Sequence, residues 1–178
     1  MTEQNLAAVL WDMDGTLIDS EPLWLEAELA ILDRYGIPMT PQLRDSLIGS
    51  GLWDAAESFR ELGVPLSADE IVAEWAVHVG AGLASTEPAW RPGAPELLAS
   101  LVDAGIPCAL VTMSVRTLAE QVVRLLPAGT FSTIVAGDEV DHAKPHPEPY
   151  LRGAAALGVP IEQCIALEDS LTGLRSAV

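Results

Sequence analysis

The stretch Ala7-Ala8-Val9-Leu10-Trp11-Asp12-Met13-Asp14-Gly15-Thr16 decides the fold. It opens with an apolar run of the length of a buried strand. Asp12 and Asp14 follow directly, and in open α/β folds the carboxyl ends of the strands are where ligands bind. Two carboxylates this close repel one another unless a cation or a reacting group compensates them. Gly15 permits a sharp exit from the strand, and Thr16 adds a hydroxyl. Asp and Gly are also ordinary turn residues, so the pentad gains meaning only from what the rest of the chain supplies.

Downstream the pattern divides in two. From Ser20 to about Ser85 it is almost wholly helical. Ser20, with Pro22 in the next turn, is read as the cap of a first helix that stops at Gly36. Thr40-Pro41 opens a second, and Gly49-Ser50-Gly51 separates it from a third. Ser67-Ala68-Asp69-Glu70 has the spacing of a capping box and opens a fourth. From Pro92-Gly93 onward helices alternate with short apolar runs: Cys108–Val111, Thr133–Ala136 and Cys164–Leu167. That alternation predicts an α/β fold, a doubly wound parallel sheet with helices on both faces. The expected division is a discontinuous core over 1–19 and 86–178 and a helical cap, inserted as a lid, over 20–85.

The composition agrees with one globular domain carrying a subdomain. The chain has 178 residues, of which 49% are hydrophobic, and its 9 basic and 26 acidic residues give a net charge of −17. Such a surface repels nucleic acid and anionic membranes. A phosphorylated small molecule would need local positive charge, which suggests a metal ion. Met1-Thr2-Glu3-Gln4-Asn5 shows no basic region followed by an apolar stretch, and no apolar run approaches about 20 residues, so neither a signal peptide nor a membrane span is expected. Cys108 and Cys164 lack zinc-type spacing and are read as buried thiols in a reducing compartment, with a cytoplasmic monomer expected.

Three later segments extend the site. Thr112 and Ser114 directly follow the second strand, where hydroxyls and the backbone N–H groups of Thr112-Met113-Ser114 can hold phosphate oxygens. A helix cap is the alternative. Lys144 follows the third strand and is the only lysine among the 9 basic residues. A compact ammonium there can neutralise a carboxylate and a phosphoryl group together. Glu168-Asp169-Ser170 closes the fourth strand. With Asp12 and Asp14 it makes an all-oxygen set suited to Mg²⁺.

The four segments, in this order, resemble the haloacid-dehalogenase-like (HAD) superfamily and its β-phosphoglucomutase-like branch. The likeness lies in Asp12-Met13-Asp14-Gly15-Thr16-Leu17, Asp19-Ser20-Glu21, Lys144-Pro145, and Leu167-Glu168-Asp169-Ser170 with Gly173. Asp19-Ser20-Glu21-Pro22-Leu23-Trp24 is similar to the branch's small sugar-phosphate phosphatases. The resemblance implies a Rossmann-like HAD core with an inserted cap. It also implies a Mg²⁺-dependent phosphatase acting on a small phosphomonoester, a sugar or polyol phosphate, through an aspartyl-phosphate.

By that resemblance Asp12 is the nucleophile and Asp14 the acid and base. Asp12, the Asp14 carbonyl and Asp169 hold Mg²⁺, with Glu168 close by. Thr112 and Lys144 hold the phosphoryl group, lined by Gly15, Met113 and Ser114. Trp24 and Trp53 form an aromatic ceiling for the substrate. Members of the branch continue beyond the equivalent of Val178, so the C-terminal part of the core is expected to be missing. A β-phosphoglucomutase-type phosphomutase is the nearest alternative. Such enzymes gate with a cap His, and an ungapped count from Asp12 places Trp24 there. A phospho-accepting signalling or binding module is the alternative from another class, but its acceptor domain lacks a helical insert after the first strand.

Overall fold

A computed structural model of the chain describes residues 6–47 and 50–178. The chain forms two compact units, one made of the segment ending at Asp19 together with Pro88–Val178, the other Ser20–Glu87.

The first unit is an α/β sandwich around a parallel sheet. Its strands are β1 (Ala8–Trp11), β2 (Cys108–Val111), β3 (Thr133–Val135) and β4 (Cys164–Leu167), in the spatial order β3-β2-β1-β4. Every residue of β1 and β2 is buried, as the unbroken apolar runs require of central strands. The register pairs Trp11 with Leu110 on one side and with Leu167 on the other. The residues just beyond, Asp12, Val111 and Glu168, therefore emerge together at one edge.

The helices here are α5 (Ala94–Asp103), α6 (Arg116–Val123), α7 (Glu148–Leu157) and α8 (Leu171–Ala177). Right-handed crossovers put α5 and α6 on one face, and α7, which leads back across the sheet to β4, on the other. The cluster Leu10, Ala109, Val111, Val135, Tyr150 and Ala154 fills the space between α7 and the sheet. Full burial of a Leu or Val of this kind contributes about 1.5–3 kcal/mol. The reversal of strand order lies between β1 and β4, the topological switch point at which open α/β sheets bind ligands.

β4 is an edge strand, with consequences for the cysteines. Cys108 is buried, as expected, but Cys164 is only half-buried and Ile165 is 51% exposed. The core-thiol expectation for Cys164 is thus corrected: among the described residues β4 pairs with β1 and with no other strand.

The second unit packs α1 (Glu21–Arg34), α2 (Pro41–Leu47), α3 (Leu52–Glu61) and α4 (Ala68–Ser85). Phe59 of α3 meets Trp75 of α4 edge to face, with ring centroids 4.9 Å apart. The capping box forms as spelled: Ser67 Oγ accepts from Glu70 N at 3.2 Å, and Glu70 accepts from Ser67 N at 2.8 Å. Thr40 Oγ1 caps α2 by accepting from Leu43 N at 3.1 Å. Ser20 occupies the N-cap position of α1, but its side chain makes no capping hydrogen bond, because its backbone is already helical at ψ −7°. Gly49, in the break before α3, lies outside the described residues.

Candidate active site

The site is built on strand ends. Asp12 continues β1, and its N–H donates to Leu167 O at 3.0 Å, tying it to β4. Thr112 continues β2 and is tied in the same way to Val135 O of β3 at 3.0 Å. Met13 and Leu17 are buried, so the chain after Asp12 turns back on itself, with Leu17 N and Ile18 N both donating to Met13 O. Gly15 makes this turn at φ 86°, and a side chain there would collide with the Asp169 carboxylate.

Lys144 is at the centre. Its Nζ donates to Asp12 Oδ1 at 2.7 Å, Glu168 Oε1 at 2.5 Å and Val111 O at 3.0 Å. All three side chains are nearly sealed: Lys144 is 5% exposed, Asp12 11% and Glu168 4%. Charges so far from water persist only when paired and hydrogen-bonded. Burial, the largest influence, pushes the Asp12 carboxyl up to about 7, opposed by the Lys144 charge and reinforced by Glu168. Burial also pushes Glu168 upward. There the Lys144 charge and hydrogen bonds from Lys144, Tyr150 and Ser170 win, and its carboxyl is held below the usual range.

The acidic pair after β4 splits in character. Glu168 Oε1 accepts from Lys144 Nζ and from the Tyr150 hydroxyl at 2.7 Å. Its Oε2 accepts from Ser170 N at 3.3 Å and Ser170 Oγ at 3.1 Å. Asp169 Oδ1 accepts a 3.3 Å hydrogen bond from Thr16 Oγ1. Burial and the charge of Glu168 raise its carboxyl above the ordinary range. Ser170 also caps α8, accepting from Gly173 N at 2.9 Å.

The hydroxyls after β2 are turned toward Asp14. Its Oδ2 accepts from Ser114 Oγ at 2.8 Å and Thr112 Oγ1 at 3.2 Å. Neither hydroxyl caps α6, whose N-cap is Val115. Met113 contributes its thioether, with Lys144 N donating to Sδ at 3.3 Å. The Gly15 N–H is taken by Ile18 O at 2.8 Å. Trp24 and Trp53 lie in the helical unit, both half-buried, and Trp53 Nε1 donates to Asp69 Oδ1 at 2.8 Å.

Carboxylate oxygens of Asp12, Glu168 and Asp169 lie within 4.8 Å of one another, a compact all-oxygen group of the kind that accepts Mg²⁺. Tyr150 was not singled out from the sequence. The available signal was its place on the core face of the helix that follows Lys144. No helix among the described residues is long and apolar enough to cross a membrane.

The comparisons with known proteins agree with this architecture. The family model of the haloacid dehalogenase-like hydrolases matches residues 6–178. Hexitol phosphatase B of Escherichia coli (strain K12) is 32% identical over 182 residues, covering 97% of this chain and 79% of that protein. The fructose-1-phosphate phosphatase YqaB of the same organism is 31% identical over 183 residues, covering 98% and 92%. Among solved structures, a mutant CbbY from Rhodobacter sphaeroides in complex with xylulose-(1,5)bisphosphate superimposes with a TM-score of 0.87. It has 31% identity and covers 97% of this chain and 81% of that one. The chain belongs to the haloacid dehalogenase-like hydrolases.

Proposed function

We propose that this protein is a phosphatase that hydrolyses a small phosphomonoester, a sugar or polyol phosphate, through a covalent phosphoryl group on Asp12. One observation carries the reading: a buried ammonium, Lys144, bridges the nucleophile candidate Asp12 and Glu168 at the switch point of the sheet. Hydrolase family membership and the phosphatase names of its relatives support the same class.

The chemistry follows from the geometry. Asp12 Oδ1 is held by Lys144, which leaves the other carboxylate oxygen to attack phosphorus in line with the leaving alkoxide. Asp14, held by Thr112 and Ser114 at the next strand end, gives a proton to the departing oxygen. It then takes one from the water that cleaves the aspartyl-phosphate. Asp12, Asp169 and the Asp14 carbonyl are the groups that would hold Mg²⁺, with Glu168 beside them. The ion would supply positive charge against the phosphoryl oxygens. The remaining positive charge comes from Lys144, in a chain whose net charge is −17.

The test is phosphate release from a panel of hexitol, hexose and pentose phosphates, with Mg²⁺ and with excess chelator. We expect turnover with Mg²⁺ and none with chelator. Absence of phosphate release across the panel in the presence of Mg²⁺ would overturn the reading. β-Glucose 1-phosphate with a bisphosphate primer decides against the mutase alternative, and glucose 6-phosphate forming faster than inorganic phosphate would reverse that choice. Trp24, where the mutase resemblance asks for a gating His, favours the phosphatase.

A further inference from the structure

We propose that Tyr150 is a positioning residue that sets the Lys144 ammonium against Asp12, holding Glu168 with its hydroxyl and bearing the ammonium on its ring face. The inference rests on the phosphatase reading of the site.

A lysine ammonium sits on a flexible four-carbon stem and has three protons to place. Here each has one partner: Asp12, Glu168 and the Val111 carbonyl. Two of these partners are fixed by the sheet, Val111 as the last residue of β2 and Asp12 by its backbone bond to Leu167. Glu168 is not fixed in that way, since its carboxylate lies at the end of its own flexible chain. It is held instead by Ser170 on Oε2 and by the Tyr150 hydroxyl on Oε1. Removing the hydroxyl would leave a sealed carboxylate short of a donor, with little room for water to replace it.

Tyr150 is suited to the task because its own position is overdetermined. The residue is 1% exposed and belongs to the core cluster under α7 with Leu10, Val111 and Ala154. Packing of this density locks an aromatic rotamer. The Lys144 ammonium lies 4.8 Å from the ring centroid, within cation–π range. The rigidity of the core is thereby passed through one phenol to the charged groups at the sheet edge. A tyrosine present only to fill volume would do nothing for Glu168, and phenylalanine would serve equally well.

The experiment compares wild type, Tyr150→Phe, Glu168→Gln and the double variant of the full chain, with Mg²⁺ present. Partners that orient a charged group typically alter affinity or activity by 10–100-fold when removed. We expect Tyr150→Phe to remain folded with a lowered melting temperature, as the loss of a donor to a buried carboxylate requires, and to keep its KM while kcat falls about tenfold. In the Glu168→Gln background the same change should cost less than about twofold, because Tyr150 acts through Glu168. A second readout does not depend on turnover: beryllofluoride, a phosphoryl mimic, should add to Asp12 in wild type and bind more weakly to Tyr150→Phe, as followed by ¹⁹F NMR. An unchanged kcat, an undiminished effect in the Glu168→Gln background, or an equally tight adduct would overturn the role of Tyr150 alone. A wild type with neither turnover nor adduct would overturn the phosphatase reading, and this inference with it.

Discussion

Asp12 and Lys144, 132 residues apart in the chain, meet at 2.7 Å. The pair joins the end of β1 to the loop before α7, and Glu168 brings in the end of β4 at 2.5 Å. Breaking a buried pair by removing one partner costs far more than the pair contributes, because the remaining charge is stranded. Site and stability are therefore coupled at this point, and the variants below are to be read for both.

Asp12→Asn is expected to abolish phosphate release while leaving the fold intact. The amide is nearly isosteric and still accepts from Lys144 through its oxygen, but it is a poor nucleophile. Circular dichroism together with the phosphate assay checks this. Near-normal turnover would remove Asp12 from the nucleophile's role.

Lys144→Ala leaves Asp12 and Glu168 facing each other without their shared cation. We expect a loss of about 3–5 kcal/mol in urea denaturation, with loss of activity. Lys144→Arg keeps the charge, but a planar fork does not fit the three-way arrangement of Asp12, Glu168 and Val111 O. Its turnover should remain well below that of wild type. Full activity in the Arg variant would show that charge alone suffices.

Gly173 lies under the Glu168 carboxylate, and a Cβ at this position would overlap both carboxylate oxygens. Gly173→Ala should therefore push Glu168 off Lys144, destabilising by about 1–3 kcal/mol as overpacking does and lowering kcat. A variant with wild-type stability and rate would mean that Glu168 has another place to sit.

Glu148 gives a pH dependence of calculable sign. Hydrogen bonds from the Asp141 N–H above all, and from His142, together with the Arg152 charge, hold its carboxyl at about 2, against an ordinary 4.5. A depressed carboxylate pKa stabilises the folded state above the ordinary value, and that contribution is lost as pH falls through the depressed one. The difference in melting temperature between wild type and Glu148→Gln should be full above pH 4.5 and shrink steadily toward pH 2. A difference independent of pH would show that the tether of Asp141 and His142 does not depend on charge.

Much of the fold is local and was legible. Apolar runs of strand length became β1, β2, β3 and β4, and Ser67 with Glu70 closed the capping box that their spacing spells. Asp12, Glu168 and Asp169 could each be picked out as chemistry-bearing types just past a strand, and Lys144 as the only lysine, in the loop between β3 and α7. Ser20 shows the limit of local reading, since a good capping residue in helical backbone does not cap. Cys164 shows another: its run is as apolar as that of Cys108, and only the place of β4 at the edge of the sheet leaves it half-exposed.

By itself the sequence determined the periodicities, the caps and the residue types at the strand ends, because these depend on neighbours a few positions away. Only the tertiary structure decided the order β3-β2-β1-β4, the register that sets Trp11 beside Leu167, and so the meeting of Asp12 with Glu168. It alone turned Thr112 and Ser114 toward Asp14, and raised Tyr150 from a core residue to a hydrogen-bond donor for Glu168. These are contacts between distant segments, selected by packing and by the need of buried charges for partners, and no window along the chain contains both sides of them.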